Sequence, residues 1–402
     1  MVAPLLPVIR RPLVTPAVLW SVVSRLPVYG ITLALILSVR EGGGSYASAG
    51  SVCALYMAGT AVGGPWVARL AARWGIRRIL VLTSLGYVPL MLLLVRLRSF
   101  DPVVWLAPAF AAGALLPPVA AGMRAMWSML PLSTAEREAG YTWEAVLNEI
   151  LVIGSPLALT AGMTMGSAEA ALTAGVIVIG VSSCALASTK AIGAAVAPAG
   201  PAAGSPNPLR SPMFLLLMAT TAVCMVSLGL STLATTAFAE EHGGLRDATL
   251  LYACWGAGSL LGGLWYGRRR FRTPRESHLP WAVLAFAIGC GLPAFAGSHL
   301  SLAVLLALGG APIAMITISE MAMTRAIVSP PALVEAFSWL ATVTVIGDGL
   351  GQLLAGVLLS HLTANAVFVV SASLGLCAAI GLLTARGRWR TAVSTDAAHG
   401  LS

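Results

Sequence analysis

The sequence predicts an all-α membrane protein: twelve transmembrane helices in two pseudo-symmetric six-helix bundles. Three observations carry that expectation. The first is composition. Of 402 residues, 58% are hydrophobic and only 10% charged, whereas a soluble domain carries about a quarter charged residues. Apolar runs long enough to cross ~30 Å of hydrocarbon recur from end to end. The second is a repeat. Ala58, Gly59, Gly63, Gly64, Trp66 and Arg69 are matched by Ala257, Gly258, Gly262, Gly263, Trp265 and Arg268 at a constant offset of 199 residues. Arg73 and Arg272 extend the match. A repeat of half the chain's length in an apolar sequence points to duplicated halves. The third is the placement of basic residues. With the N-terminus inside and twelve spans, 19 basic residues fall on the inner side and 4 on the outer, with Arg25 inside a span. That bias places both termini in the cytoplasm. It also accounts for the net charge of +9 without a nucleic-acid partner.

Each span follows from an apolar run and its breakers. Span 1 covers Val14 to Val39 and stops at Gly42-Gly43-Gly44. Arg10-Arg11 before it and Ala47-Ser48-Ala49 after it imitate a signal peptide. The run is ~25 residues, too long for a signal core, and Arg25 interrupts it, so it is retained as a helix. Span 2 covers Tyr46 to Leu70, and span 3 Ile79 to Leu97. Span 4 covers Val103 to Trp127, with Pro117-Pro118 in its interior. The polar segment Ser133 to Glu138 leads into span 5, Tyr141 to Met165, and span 6 covers Ala168 to Ser188. Residues 1–188 are thus the first bundle. Residues 189–211 hold Pro198, Pro201, Pro206 and Pro208 among Ala, Gly and Ser, the composition of a cytoplasmic linker. Span 7 covers Pro212 to Ala239, with a loop at Glu240 to Gly244. Spans 8, 9 and 10 cover Ala248 to Gly267, Leu279 to Ala296 and Leu300 to Thr324. Span 11 covers Leu333 to Ser360 and span 12 Ala364 to Ala385. The second bundle is therefore 212–385, and 386–402 is a cytoplasmic tail.

Several chemistries are excluded. No sequence reads G-x-x-x-x-G-K-[S/T], and the one lysine, Lys190, lies in the linker, so ATP-driven transport by this chain is not expected. There is no Gly-x-Ser-x-Gly elbow and no His-Glu-x-x-His; the chain is not expected to be an enzyme. The six cysteines form no Cys-x-x-Cys pair and the five histidines show no ligand spacing, so neither a metal nor another cofactor is expected.

Charged residues inside spans are costly to hold and mark function by default. Arg25 sits near the middle of span 1, and Glu149 at a similar depth in span 5. They form either a structural ion pair, or a site where Arg25 meets an anionic substrate or Glu149 carries a proton. Asp348 is deep in span 11, inside Gly347-Asp348-Gly349, with no basic residue nearby in sequence. It suits reversible protonation and is the first proton-site candidate. Tyr29 and Asn148 are candidate cavity-lining residues. Arg69, Arg73, Gly75, Arg77, Arg78, Arg124, Glu144, Arg268, Arg272, Glu320 and Glu335 cluster at cytoplasmic helix ends and are candidate gate residues, with Arg124 and Arg325 as partners for the acids. Four-residue spacing of small residues occurs in four spans: Gly59 and Gly63; Gly154, Ala158 and Gly162; Gly258 and Gly262; Gly347, Gly351 and Ala355. Such faces let backbones approach closely. The expectation is that spans 2, 5, 8 and 11 meet across the halves; static packing is the plainer alternative.

Six plus six helices, a linker, and arginines after spans 2 and 8 resemble the major facilitator superfamily. The family pattern after the second helix is G-x-x-x-D-R-x-G-R-R. Here Arg73, Gly75, Arg77 and Arg78 match it, with one inserted position. Ala68 replaces its Gly, and Ala72 its Asp, so the gate latch attributed to that Asp differs here. Gly154-Ser155-Pro156 is similar to the Gly-Pro motif of antiporter members, with Ser155 inserted. The resemblance implies alternating access about a central site. The reading it favours is proton-coupled efflux of small amphipathic molecules. The alternatives are transport of a small anionic metabolite through Arg25, and a membrane scaffold or sensor without transport. The expected partners are a small-molecule substrate, protons and the lipid bilayer, with the chain a monomer. A single lysine among 24 basic residues hints at a GC-rich bacterial genome, so the expected location is a bacterial inner membrane.

Overall fold

The computed structural model describes residues 9–97, 103–130, 132–133, 136, 140, 143–144, 147, 150–151, 154–155, 157–159, 161–163, 166–194, 208–244, 247–269, 275–328 and 333–384. Every regular element among the described residues is a helix. A bilayer leaves no alternative for such apolar segments, because a helix satisfies its backbone polar groups within itself. The chain divides into two compact units, 1–200 and 201–402. That division falls inside the stretch read as a linker.

In the first unit, α1 (Thr15–Val28) and α2 (Ile31–Glu41) together form span 1. They part because Pro27 lies in the last turn of α1 and Gly30 caps α2; a proline ring removes one helical hydrogen bond and crowds the preceding turn. The helix α3 (Tyr46–Trp74) starts at Ser45, whose hydroxyl accepts the Ser48 N–H at 3.1 Å. It outlasts the predicted span by one turn. It ends at Gly75, whose φ of 83° lies where side chains other than glycine are strained. Then come α4 (Ile76–Leu97), α5 (Val103–Ala114) and α6 (Val119–Met129). The last two share span 4 and part at Pro117-Pro118. All described residues between 140 and 163 are helical, which is span 5. Span 6 is α7 (Ala168–Ser188), capped by Ser167. A short α8 (Lys190–Ala194) follows, so the segment read as a linker begins with a helical turn.

The second unit holds α9 (Pro212–His242), α10 (Asp247–Arg268), α11 (Leu279–Gly291), α12 (His299–Ile327), α13 (Leu333–Leu358) and α14 (Ala364–Thr384). Ser211 caps α9 ahead of a first-turn proline, the favoured arrangement at a helix start. Glu240 to His242, predicted as loop, continue α9 as its last turn. A capping box of Ser298 and Ser301 opens α12.

Among the described residues, eight helices are long and apolar enough to cross a bilayer. The glycine-rich α3 and α10, with 29 and 22 residues, also have the length. The shorter apolar helix Leu279–Phe295 and span 5 complete the twelve. Packing repeats between the units. In the first, α3 packs on α5, α4 on α7 and α1 on α7; in the second, α10 packs on α12, α11 on α14 and α9 on α14. The α1–α7 contact is joined by a Ser24–Ser183 hydroxyl bond of 2.8 Å, and the α9–α14 contact by a Ser231–Ser371 bond of the same length. Many large apolar side chains, among them Leu19, Leu85, Val181, Leu261, Ile288 and Leu308, face outward. That pattern suits a hydrocarbon solvent. The cysteines are free and Cys53, Cys224 and Cys290 are buried.

Candidate functional site

Burying a guanidinium requires a partner, and the first unit supplies one. Arg25 is 5% exposed and lies in the last turn of α1, just before the break at Pro27. Its Nη2 donates to Glu144 Oε2 at 2.7 Å, with the acid side chain only 11% exposed. Trp127 Nε1 donates to the other carboxylate oxygen at 3.2 Å. Glu144 thus ties span 5 to α1 and α6. The Trp127 ring lies against Gly140, where a Cβ would come within 2.5 Å of it. Arg25 Nε is buried with no hydrogen-bond partner among the described residues.

This corrects the expected pairing. Arg25 meets Glu144, which was expected at the gate beside Arg124, and Arg124 is exposed. Glu149 and Asn148 lie outside the described residues. Tyr29 caps α1 and is 37% exposed.

The second unit carries two carboxyl groups against α9. Asp348 Oδ2, on α13, accepts from Gln352 Nε2 at 3.2 Å. Its Oδ1 is buried with no hydrogen-bond partner among the described residues. Gly229 of α9 permits this placement: a Cβ there would lie 3.0 Å from Asp348 Oδ1 and overlap the Asp348 carbonyl. Glu320, on α12, accepts from Thr221 Oγ1 of α9 at 3.1 Å. Arg325, its expected partner, is exposed. Thr221 and Gly229 are eight residues apart, about 12 Å along α9.

At the α3–α4 turn, Arg69, Arg73, Arg77 and Arg78 are all exposed around Gly75. The Arg69 guanidinium sits 5.4 Å from the centre of the Trp66 ring. The second unit repeats this with Arg269 over Trp265 at 5.2 Å, one residue beyond the expected Arg268. The side chains of Arg268 and Glu335, and Arg272 entirely, lie outside the described residues.

The small-residue faces close contacts within a unit. A Cβ on Gly59 or Gly63 would overlap the backbone of Phe110 or Ala114 of α5, and one on Gly258 or Gly262 that of Ala307 or Ala311 of α12. Gly347 and Gly351 face Ala222 and Val226 of α9. Spans 2, 8 and 11 therefore spend these faces on neighbours inside their own half. Gly154 differs: a Cβ there would make only an ordinary 3.5 Å contact with Leu26 Cδ1. Gly162 would meet the Ala171 side chain at 3.1 Å. Trp127, Thr221, Gly229, Gln352 and Arg269 were not singled out from the sequence. Gln352 was legible, being four residues beyond Asp348 on one helix face; the others became partners only through packing.

The sequence profile of the Major Facilitator Superfamily matches residues 215–398. No curated protein sequence matches the chain. Among solved structures, the nucleoside transporter NupG is similar with a TM-score of 0.71 at 12% identity, over 93% of this chain and 99% of that one. A peptide transporter POT in complex with sulfate is similar with a TM-score of 0.72 at 14% identity, over 94% of this chain and 95% of that one. A POT family transporter in complex with a thioalcohol-conjugated peptide follows with a TM-score of 0.69 at 11% identity, over 93% and 96%. The profile of that superfamily thus matches the second unit, and the fold over nearly the whole length is the one these solved transporters share.

Proposed function

We propose that this secondary transporter exports small amphipathic molecules in exchange for protons, and that Asp348 carries the proton. The observation behind this reading is Asp348 itself. It is a carboxyl group deep in an apolar helix, with one oxygen unpartnered among the described residues and the other held only by the neutral Gln352 amide. No ion pair to Asp348 occurs among the described residues. A group held that way exchanges a proton without breaking a salt bridge. Glu320, also held by a neutral hydroxyl, is the second acid packed against α9. Efflux rests on the apolar walls and the Gly154-Ser155 element. A charge-neutral cargo path suits both.

The test uses purified protein in proteoliposomes with an imposed pH gradient and a neutral lipophilic fluorescent dye as cargo. Wild type moves the dye against the proton gradient. Asp348→Asn abolishes gradient-driven movement while dye equilibration persists. Unchanged gradient-driven movement in that variant sinks the assignment. The anionic-metabolite reading draws less support, because Glu144 already neutralises Arg25. Its remaining support is Arg25 Nε, which has no hydrogen-bond partner among the described residues.

A further inference from the structure

The break between α1 and α2 leaves a cavity of about 160 Å³ between span 1, span 5 and α7. Its walls include Leu26, Ile31, Ala34, Leu159, Ala171 and Val178, with one polar side chain, Ser155. Ser155 is 2% exposed, and its Oγ has no hydrogen-bond partner among the described residues. The duplication shows why the space is there. At the offset of 193 residues, Ser155 corresponds to Asp348 and Leu159 to Gln352; at 199, Gly30 corresponds to Gly229. In the second unit α9 runs unbroken past Gly229, the Asp348 backbone closes on it, and Gln352 bonds Asp348. In the first unit the polar pair is Ser and Leu, the facing helix breaks at Gly30, and the same place is hollow.

An enclosed apolar cavity of about 150 Å³ admits benzene; this space has that size and opens at Ala158, Ala174 and Val178, which are exposed. A charged ligand is excluded by these walls, and a buried hydroxyl without a partner is unfavourable. We propose that the cavity binds a small neutral molecule, mostly apolar with one hydrogen-bonding end, of the phenol or short-alcohol class, whose polar atom meets Ser155 Oγ. The site does not involve Asp348.

Fluorine NMR of 4-fluorophenol and fluorobenzene with the full chain in lipid nanodiscs tests this, with empty nanodiscs correcting for partition into lipid. Saturable 4-fluorophenol binding is expected above the empty-disc signal. Ser155→Ala weakens it about tenfold, the worth of one neutral hydrogen bond, and leaves fluorobenzene unchanged. Ala174→Phe, at a partly exposed wall position, removes both. Should Ser155→Ala fail to fold, Ser155→Cys, a weaker donor, gives a smaller loss in the same direction; Leu159→Phe replaces Ala174→Phe likewise. Absence of saturable binding, binding that survives the filled variant, or indifference to loss of the hydroxyl overturns the proposal.

Discussion

Arg25 and Glu144 illustrate how a buried charge constrains its partner. Removing one member of such a pair strands the other in a low-dielectric setting, at a cost of ~3–5 kcal/mol. Replacing both with apolar residues of similar volume is often neutral. Arg25→Leu is therefore expected to lower the thermal unfolding temperature sharply, and Arg25→Leu combined with Glu144→Leu to restore most of it. Two equal, additive losses by fluorescence-monitored unfolding would show that the pair is not coupled. Outside the membrane, Glu136 makes a different prediction. The Ser133 N–H and hydroxyl donate to its carboxylate, and Arg11 pairs with it, so its pKa is held below the ordinary carboxylate value. The folded state thus holds this proton less tightly than the unfolded state. Its contribution is present above the ordinary value and fades as pH falls through the lowered one. Glu136→Gln is expected to lower the unfolding temperature slightly at neutral pH, to match wild type in acid, and so to flatten the acid limb of unfolding temperature against pH; an unaltered acid limb refutes this.

Helices in this protein are joined by two kinds of contact with different tolerance. Where backbone meets backbone, as at Gly258 against Ala307 of α12, one added methyl group must push two helices apart. Overpacking of that kind costs about 1–3 kcal/mol. Where glycine meets a side-chain tip, as at Gly154 against Leu26, the methyl fits. Removing a helix-interior glycine there recovers about 0.5–1 kcal/mol of backbone entropy. Gly258→Ala is thus expected to destabilise and Gly154→Ala to be neutral or stabilising; equal effects in thermal unfolding contradict the assigned contacts. At the α3–α4 turn the restriction is conformational. No atom lies within 4 Å of a Cβ on Gly75, but its φ is 83°. Gly75→Ala is expected to cost ~1–3 kcal/mol by backbone strain alone, visible as faster protease nicking at Arg73 and Arg77.

Across the whole molecule, duplication fixes the plan and divergence sets the chemistry. The serine bridges and the α3–α5 and α10–α12 crossings are shared by both units. The buried ion pair belongs to the first unit, and the unpaired Asp348 to the second. The charge bias makes a prediction at this scale. Alkaline phosphatase fused after Ser402 is expected to be inactive and a fluorescent protein at the same place to fold and emit, both marking a cytoplasmic terminus. An active phosphatase fusion overturns the orientation.

The apolar runs, the 199-residue repeat and the prolines at 27, 117 and 118 determined the class, the number of spans and where helices break. Those properties depend on local hydrophobicity and on backbone chemistry within one turn, which a linear sequence carries. The pairing of Arg25 with Glu144, the use of small-residue faces inside each half, and the hollow beside Ser155 were decided only by tertiary structure. Each depends on the rotation of one helix about its axis relative to a neighbour far away in sequence. A rotation of about 100° per residue moves a charge from partner to lipid without changing composition or periodicity.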